Sequence, residues 1–445
     1  MKRIAISVLL AMTPLAASGQ HGHSMAPPQG VSRAAVIDRF SEAFVEQDAS
    51  FTAARRAEAR DALHALRRSA DSMTAAAFEL ELARIGALAD NGHSGVLPIS
   101  LAAPRAQLGV RFLLADDGLH IADARPEYEP LVGARVERIA GAELQQLRAA
   151  WSRYVPGPDS HRDESLTFFL ETPALLHAAG IAPDSTGVVL KLADGRDVVV
   201  GAVGRWAEGD SIWHFLSQPP ALALARAGRL RTTPLYLDEP DAFFRMVPLP
   251  DRDAVYLQFR ANADFSGRTD LAQVARAAID SLRALSPRFV IVDQRFNVGG
   301  DLNNTRSLMQ AIPEIVGGNG RVFAITSGRT FSAGIASMGY LKQAAGERLT
   351  IVGAPVGDDL EFYAEGDLLV LPNGTLVMTA TERHNYMTGC PEDDCHGPIR
   401  ANPIRIDTLE PDIRPRFEYD DVVAGRDPWL EEILARIDDL RRPAL

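Results

Sequence analysis

The residue with the clearest chemical potential is Ser332, which lies in the segment TFSAG (330–334). It follows a predicted strand, 322–326, and precedes a predicted helix that begins at Ala333. The first N–H groups of a helix have no partner within the helix and carry a partial positive charge. A serine at such a turn is well placed to act as a nucleophile, because nearby backbone amides can stabilise the negative charge that develops during the reaction.

A second chemical feature is the glycine pair at the end of the segment DQRFNVGG (293–300). The run 289–292 is apolar and β-branched, which predicts a buried strand that breaks into a loop. Glycines at such a break let the backbone come close to a ligand or another segment. We therefore predict an oxyanion hole formed by the N–H of Gly299 or Gly300 together with that of Ala333, and such donors typically contribute about 3–4 kcal/mol each.

These two segments resemble the Asp-x-Arg-x-Asn-x-Gly-Gly and Thr-x-Ser-Ala motifs of the tail-specific (C-terminal-processing) serine peptidase family. The resemblance continues through the segments IVGAPVG, YAE, LPNGTLV and LEPDI. It implies a crotonase-like ββα catalytic domain and a serine peptidase that acts on peptide or protein substrates. Asp293 and Arg295 are expected to hold the strand end together, and Asn297 to order the loop through side-chain-to-backbone bonds. Retinoid-binding modules share this fold, so an inactive ligand-binding or scaffolding protein is the alternative.

The general base is predicted to be a histidine, because lysine is almost absent. Better-known members of the family use a Ser–Lys dyad, with the lysine about two dozen positions beyond the serine, but the equivalent stretch 353–361 contains no lysine. Of three lysines in the chain, Lys342 lies ten residues beyond Ser332 on the same predicted helix, which corresponds to about 15 Å of rise. Histidine replaces lysine naturally, since a neutral imidazole accepts a proton near pH 7.

Among the histidines, His93 is the predicted base, because it lies in the polar, glycine-flanked turn DNGHSG (90–95). This turn resembles the Asp-x-His-Thr turn of some branches of the family, with Ser94 in place of threonine. The alternative for His93 is a solvated loop residue. His384 is the second candidate for the base.

An acidic residue is expected to fix the tautomer of the imidazole. The segment APVGDDLEFYAEG (354–366) resembles the family's Pro-Thr-Gly-Gly and Tyr-Gly-Glu stretch, and this resemblance places Glu365 in that role. Glu361 and Asp359 are the alternatives, and an acidic surface loop without a catalytic role is also compatible with the pattern.

The order of the sequence patterns predicts an α/β protein, and the N-terminal residues predict that it is exported. Residues 1–20 have the charged, apolar and small-residue regions of a secretory signal, which indicates secretion or a periplasmic location. Helical periodicity over 31–95 predicts an N-terminal helical domain, and 96–205 is expected to form a β subdomain that partly resembles a PDZ domain. The remainder, 206–445, is assigned to the crotonase-like peptidase domain. No other apolar run is long enough to span a membrane.

The net charge limits the classes of binding partner, and the cysteine content limits the covalent and metal chemistry. The net charge of −12 argues against nucleic acid and anionic membranes as partners. The two cysteines, Cys390 and Cys395, are close enough in sequence for one small disulfide loop in an oxidising compartment. A metal clip that adds His396 is the competing interpretation, but it is an incomplete zinc set. We therefore predict no metal and no cofactor.

Overall fold

A computed structural model describes residues 30–204, 220–263 and 269–442. The predicted signal, 1–20, lies outside these residues, and so do 205–219 of the segment that leads into the predicted peptidase domain. Within the described ranges, no helix is long and apolar enough to cross a membrane. The fold is a mixed α/β arrangement with three β-sheets among the described residues.

The N-terminal region is helical, as the periodicity predicted. It contains α1 (Arg33–Phe40), which continues into a π-helical turn, α2 (Ala53–Ser69) and α3 (Ala75–Gly86). Each helix begins at a hydroxyl side chain that accepts a hydrogen bond from the backbone N–H three residues later, which satisfies an amide that has no partner within the helix. These residues are Ser32, Thr52 and Thr74.

An antiparallel, seven-stranded sheet follows. Its strands are β2 (Gln107–Leu108), β3 (Val110–Ala115), β4 (Gly118–Ala124), β5 (Arg135–Ile139), β6 (Ala142–Glu143), β7 (Gly187–Leu192) and β8 (Asp197–Gly204). They pair in the order β2-β8-β7-β5-β4-β3, and β6 pairs with β5. The segment 188–202, with turn residues at 193–195, predicts a β-hairpin, which is confirmed as β7 and β8.

Four helices accompany this sheet: α4 (Pro98–Ala102), α5 (Leu144–Trp151), α6 (Asp159–Leu170) and α7 (Pro173–Ala178). Apolar side chains from α1 to α3 and from the seven-stranded sheet form one continuous buried cluster. The two predicted units 31–95 and 96–205 therefore share a hydrophobic core.

The second sheet has five strands and carries apolar side chains on both faces. Its strands are β9 (Phe244–Leu249), β10 (Ala254–Phe259), β11 (Phe289–Asp293), β12 (Arg321–Thr326) and β13 (Leu349–Gly353). β10 to β13 are parallel, and β9 is an antiparallel edge strand. Strands covered on both faces read as continuous apolar runs, which is why the pattern at 289–292 predicted a buried strand correctly.

Helices cover the two faces of this sheet. Alternate residues along the strands separate into two apolar clusters, as the period of two in a strand requires. The helices of the C-terminal half are α8 (Pro220–Arg226), α9 (Leu271–Leu285), α10 (Asn303–Val316), α11 (Ala333–Ala345), α12 (Gly397–Ala401), α13 (Tyr419–Ala424) and α14 (Pro428–Arg441). α9, α10 and α11 contribute to one cluster, and α14 contributes to the other.

A third, three-stranded sheet brings the two halves of the chain together. It pairs β1 (Gly95–Val96) with β15 (Leu376–Asn385), which pairs in turn with β14 (Glu361–Val370). All of these pairings are antiparallel. Because β1 directly follows the turn that contains His93, this sheet carries that histidine to the C-terminal half.

Candidate active site

Ser332 lies at the N-terminus of α11 in a strained backbone conformation. Its φ and ψ are +53° and −125°, and its carbonyl oxygen accepts the hydrogen bond from Ile335 N–H (2.9 Å) that starts the helix. Positive φ is uncommon for a residue with a side chain, and such strain concentrates at functional sites. The Ser332 side chain does not cap the helix. Ser332 therefore lies at the helix N-terminus, as the sequence predicted.

The neighbouring residue, Phe331, brings His93 to this turn. The two rings stack with their centroids 4.1 Å apart and their planes at 18°. Phe362 of β14 stacks on His93 as well, at 4.8 Å and 6°, so the imidazole is held between two phenyl rings. His161 of α6 stacks on Phe331 at 4.9 Å, and burial lowers its pKa to about 4, which keeps this second imidazole neutral at pH 7.

The turn that carries His93 is fixed by hydrogen bonds to β14 and to the N-terminal region. The Asn91 side chain donates to the Tyr363 carbonyl oxygen and accepts from the Tyr363 N–H, both at 2.9 Å. The Ser94 hydroxyl donates to Asp48 Oδ2 at 2.8 Å. These bonds and the stacking bury His93, which is only 5% exposed, so it is not a solvated loop residue.

The acidic partner of His93 is Asp358. His93 Nδ1 lies 2.9 Å from Asp358 Oδ2, and both side chains are buried. His93 Nε2 is also buried and has no hydrogen-bond partner in the described part of the chain. When Nδ1 donates to the carboxylate, Nε2 keeps its lone pair and can accept a proton.

Glu365, the predicted acidic partner, lies elsewhere. A β-bulge in β14 leaves Glu365 at a φ of +59°, and its carboxylate lies 3.4 Å from His384 Nε2. This contact with His384 lowers the pKa of Glu365. Of the alternatives, Glu361 forms an ion pair with Arg383 at 2.9 Å, and the Asp359 N–H donates to Asp358 Oδ1 at 3.0 Å. The carboxylate at His93 comes from Asp358 in the turn before β14, seven residues earlier than the choice made from the sequence, whereas β14 itself faces the imidazole with Phe362.

His384, the second candidate for the base, is separated from His93 by the Phe362 ring. Phe362 stacks on His384 at 4.9 Å, and the Tyr386 hydroxyl lies 3.1 Å from His384 Nδ1. Burial lowers the pKa of His384. Of the two lysines within the described residues, Lys191 donates from β7 to the Gly195 carbonyl oxygen.

The loop with the two glycines packs directly against Ser332. A Cβ atom on Gly299 would lie 2.6 Å from Ser332 Cβ and 3.1 Å from its Oγ. The Gly299 N–H donates to Asn297 Oδ1 at 3.0 Å, whereas the amides of Gly300 and Ala333 have no acceptor within the described ranges. Of the three predicted donors, Gly300 and Ala333 are therefore the two with available N–H groups.

We expect Gly299→Ala to lower turnover by about 10²-fold to 10³-fold, comparable to the loss of an oxyanion-hole donor. The φ of Gly299 is +104°, and the added methyl group would collide with Ser332. Steady-state kinetics and thermal melting of the variant measure the effect. Gly318→Ala is the matched control, because a Cβ there meets no atom within 4 Å. A Gly299→Ala variant with wild-type turnover would contradict the close packing of this loop on Ser332.

A buried side chain that was not among the predicted site residues, Asn262, joins this loop to α11. Asn262 Nδ2 donates to the Ala333 carbonyl oxygen at 2.8 Å, and Asn262 Oδ1 accepts from Asn297 Nδ2 at 2.7 Å. The Asn297 carbonyl oxygen accepts from Phe331 N–H at 2.9 Å. Asn297 thus orders the loop as expected. No local motif marked Asn262, since its partners lie 35 and 71 residues away in the chain.

A cavity of about 440 Å³ opens beside the residues that precede Ser332. It lies between α6 and the turn 327–329, and its walls include Phe296 and Trp429 as well as the ion pair of Arg329 with Glu164 (3.6 Å). Neither Ser332 nor His93 lines this cavity. It adjoins the candidate site through the loop and does not contain it.

Cys390 and Cys395 form a disulfide, with their Cα atoms 5.7 Å apart. Because the sulfurs are joined to each other, the alternative metal clip with His396 is not formed. We expect the mass of the purified protein to rise by about two daltons on reduction, as disulfide chemistry requires. Replacing both cysteines with serine should lower the free energy of unfolding by about 2 kcal/mol, the chain-entropy value for so short a loop. Two freely alkylated thiols in oxidised protein would contradict this pairing.

Comparisons with known proteins show a shared fold. No family model matches the sequence, and no match is found among curated protein sequences. A crystal structure of mature CPAF matches with a TM-score of 0.53 and 13% identity, covering 92% of this chain and 97% of that one. Mature CPAF complexed with lactacystin matches with a TM-score of 0.51 and 14% identity, covering 87% and 92%. The photosystem II D1 C-terminal processing protease also matches, at a TM-score of 0.35 and 12% identity, covering 88% and 96%. The chain is therefore similar to mature CPAF in its overall fold.

Proposed function

We propose that this protein is an exported serine peptidase of the tail-specific type, with Ser332 as its nucleophile. The observation that carries the proposal is that a buried histidine with an acidic partner lies beside the strained turn of Ser332. The ring of Phe331, the residue before Ser332, stacks on His93. His93 Nδ1 lies at Asp358, and Nε2 has no partner in the described ranges. The motifs around Ser332 and the glycine pair support the same chemistry.

In the proposed reaction, His93 Nε2 removes the proton from the Ser332 hydroxyl as the oxygen attacks the carbonyl carbon of a peptide bond. Asp358 holds the imidazole through Nδ1 and stabilises the imidazolium that forms. The N–H groups of Gly300 and Ala333 stabilise the oxyanion. The imidazolium then donates its proton to the leaving amine. Water next attacks the acyl group on Ser332 while His93 takes a proton from the water, and His93 returns this proton to the Ser332 oxygen as the acid leaves.

The domain organisation that we propose follows the sequence analysis. The five-stranded sheet and the helices on its faces, with β14 and β15, are proposed to form a crotonase-like ββα domain. The seven-stranded sheet is proposed as the PDZ-like subdomain. A cavity with both apolar and charged walls beside the Ser332 loop supports the binding of part of a peptide substrate there.

Labelling with a fluorophosphonate probe tests the nucleophile. We expect covalent labelling of the wild type and none of Ser332→Ala, because the probe reacts with an activated serine and the variant lacks it. Intact-mass spectrometry measures the adduct, and circular dichroism checks the fold of the variant. Ser281→Ala, at an exposed position of α9, is the matched control and should label like the wild type.

The alternative function is a catalytically inactive ligand-binding or scaffolding protein of the same fold. It would give no labelling of wild type or variant, and no cleavage of a mixed peptide library. Lactacystin, the compound in one of the CPAF structures, is a further ligand to test for binding at Ser332. Equal labelling of the wild type and Ser332→Ala would move the nucleophile to another residue.

Export is proposed on the basis of residues 1–20, and the disulfide supports an oxidising compartment. Expression of the full chain in a bacterial host should yield a shortened product in the periplasm or medium. A full-length product that stays in the cytoplasm would contradict the proposal.

A further inference from the structure

We propose that Glu365, His384 and His396 form a binding site for Zn²⁺, separate from the Ser332 site. One donor atom from each of the three side chains lies within 4.8 Å of the others. Glu365 Oε1 lies 3.4 Å from His384 Nε2 and 3.8 Å from His396 Nε2. These separations are close to the distance of about 3.3 Å between donors that a tetrahedral Zn²⁺ with bonds of about 2.0–2.1 Å requires.

The donor set suits this ion. Two imidazole nitrogens and one carboxylate oxygen, with a remaining position for water, form a common three-ligand zinc site. Hard cations such as Mg²⁺ and Ca²⁺ prefer sites built mainly from oxygen. Imidazole also favours transition metals over these cations.

The second ring nitrogen of each histidine is already held. His396 Nδ1 lies 2.7 Å from Glu382 Oε2, and His384 Nδ1 lies 3.1 Å from the Tyr386 hydroxyl. Metal-binding histidines usually have such a partner on the nitrogen that does not bind the ion, because it fixes the tautomer and the ring orientation. The partners leave Nε2 of both histidines directed at the Glu365 carboxylate.

An unsatisfied atom points to a ligand at this position. His384 is 2% exposed, and its Nε2 makes no geometrically acceptable hydrogen bond within the described residues. Buried polar atoms are normally paired, so an orphaned nitrogen directed into a cluster of donors indicates a group that binds there. The Glu365 side chain is 40% exposed, which leaves a path for the ion from solvent.

The fold builds the site from three separate segments. The β-bulge in β14 places Glu365 beside β15, which carries His384, and His396 follows the disulfide loop. The rings of His384 and His396 stack at 5.0 Å. A bound ion would therefore fasten the disulfide loop to the β14–β15 hairpin. Because the three segments meet only in the folded chain, no local motif marks this site, and the expectation from the sequence was no metal.

Titration of the purified protein with ZnCl₂ alone, in competition with a chromophoric chelator, tests this proposal. Reductant is omitted, since free thiols at positions 390 and 395 would also bind Zn²⁺. We expect one equivalent of Zn²⁺ per chain and an increase in melting temperature when it binds. Glu365→Gln and His396→Gln should each weaken binding by at least about 10-fold, because each removes one of three ligands. Glu382→Gln should weaken binding by about 10-fold to 100-fold through the lost partner of His396.

Two control variants separate this site from other histidines. His64→Gln, on the exposed face of α2, and the double variant His21→Gln, His23→Gln, just after the predicted signal, should bind Zn²⁺ like the wild type. Millimolar Mg²⁺ should not displace the ion. Absence of binding by the wild type, unchanged binding by Glu365→Gln and His396→Gln, or loss of binding in either control would overturn the proposal. Because Ser332 and His93 are unchanged in all of these variants, fluorophosphonate labelling remains an independent test of the peptidase function.

Discussion

Replacing His93 with alanine is expected to lower turnover by about 10⁴-fold to 10⁶-fold, because Ser332 would lose its proposed proton acceptor. Asp358→Asn should lower turnover by about 10²-fold to 10⁴-fold, since an amide at this position favours the wrong tautomer of His93. Glu365→Gln should leave turnover nearly unchanged, because Glu365 contacts His384 and not His93. Steady-state kinetics on a peptide that the wild type cleaves would measure all three effects.

His64→Ala, on the exposed face of α2, is the control for the loss of an imidazole. Circular dichroism of each variant shows whether the fold is retained. If Glu365→Gln lowers turnover more than Asp358→Asn does, the acidic partner is Glu365 and the observed pairing is not the active one. If His384→Ala abolishes activity while His93→Ala keeps it, the base is His384.

Arg295→Met is expected to lower the free energy of unfolding by about 3–5 kcal/mol, because it removes the partner of two buried carboxylates. Arg295 Nε lies 2.9 Å from Asp293 Oδ2, and its two terminal nitrogens donate to both oxygens of Asp427 at 3.0 and 2.8 Å. Burial alone would lower the pKa of Arg295, but the two carboxylates raise it above its ordinary value, so the guanidinium stays charged. Urea denaturation followed by tryptophan fluorescence measures the loss.

The matched control is Arg276→Met on α9, because Arg276 is 64% exposed and forms only a 4.0 Å ion pair with Asp270. This control should change the free energy of unfolding by less than about 0.5 kcal/mol. Arg295 also stacks its guanidinium over Tyr236 and Trp429, so the variant tests packing as well as charge. A loss for Arg295→Met equal to that for Arg276→Met would contradict a structural role for the buried pair.

The local sequence pattern was sufficient to predict those helices and strands in which the apolar residues recur with one regular spacing. The spacing of apolar residues predicts a helix over 271–285 and a strand over 254–259, and both elements have these bounds in the structure. The strand predicted at 289–292 extends by one residue, to Asp293. These elements are covered on known faces, so burial imposes a regular spacing of apolar residues that can be read from the chain.

The short motifs also predicted local geometry around the candidate nucleophile. A small residue between a strand and a helix, and two glycines after a buried strand, led to Ser332 at the start of α11 with the glycine loop packed on it. Both arrangements depend on a few residues that are adjacent in sequence. The sequence did not predict which glycine N–H is free to bind an oxyanion. In the structure the Gly299 N–H donates to the Asn297 side chain, and this bond depends on the geometry of the turn, which many sequences can form.

The sequence by itself therefore determined which residues are candidates for the proposed serine hydrolase chemistry and which elements carry them. Only the tertiary structure decided how residues more than 200 positions apart meet. The pairing of β1 with β15 brings His93 to the C-terminal half, and the turn before β14 then faces it with Asp358. The bulge at Glu365 turns that carboxylate towards His384. Such contacts depend on sheet register and on one irregular residue in a strand, and neither leaves a periodic signal in the sequence.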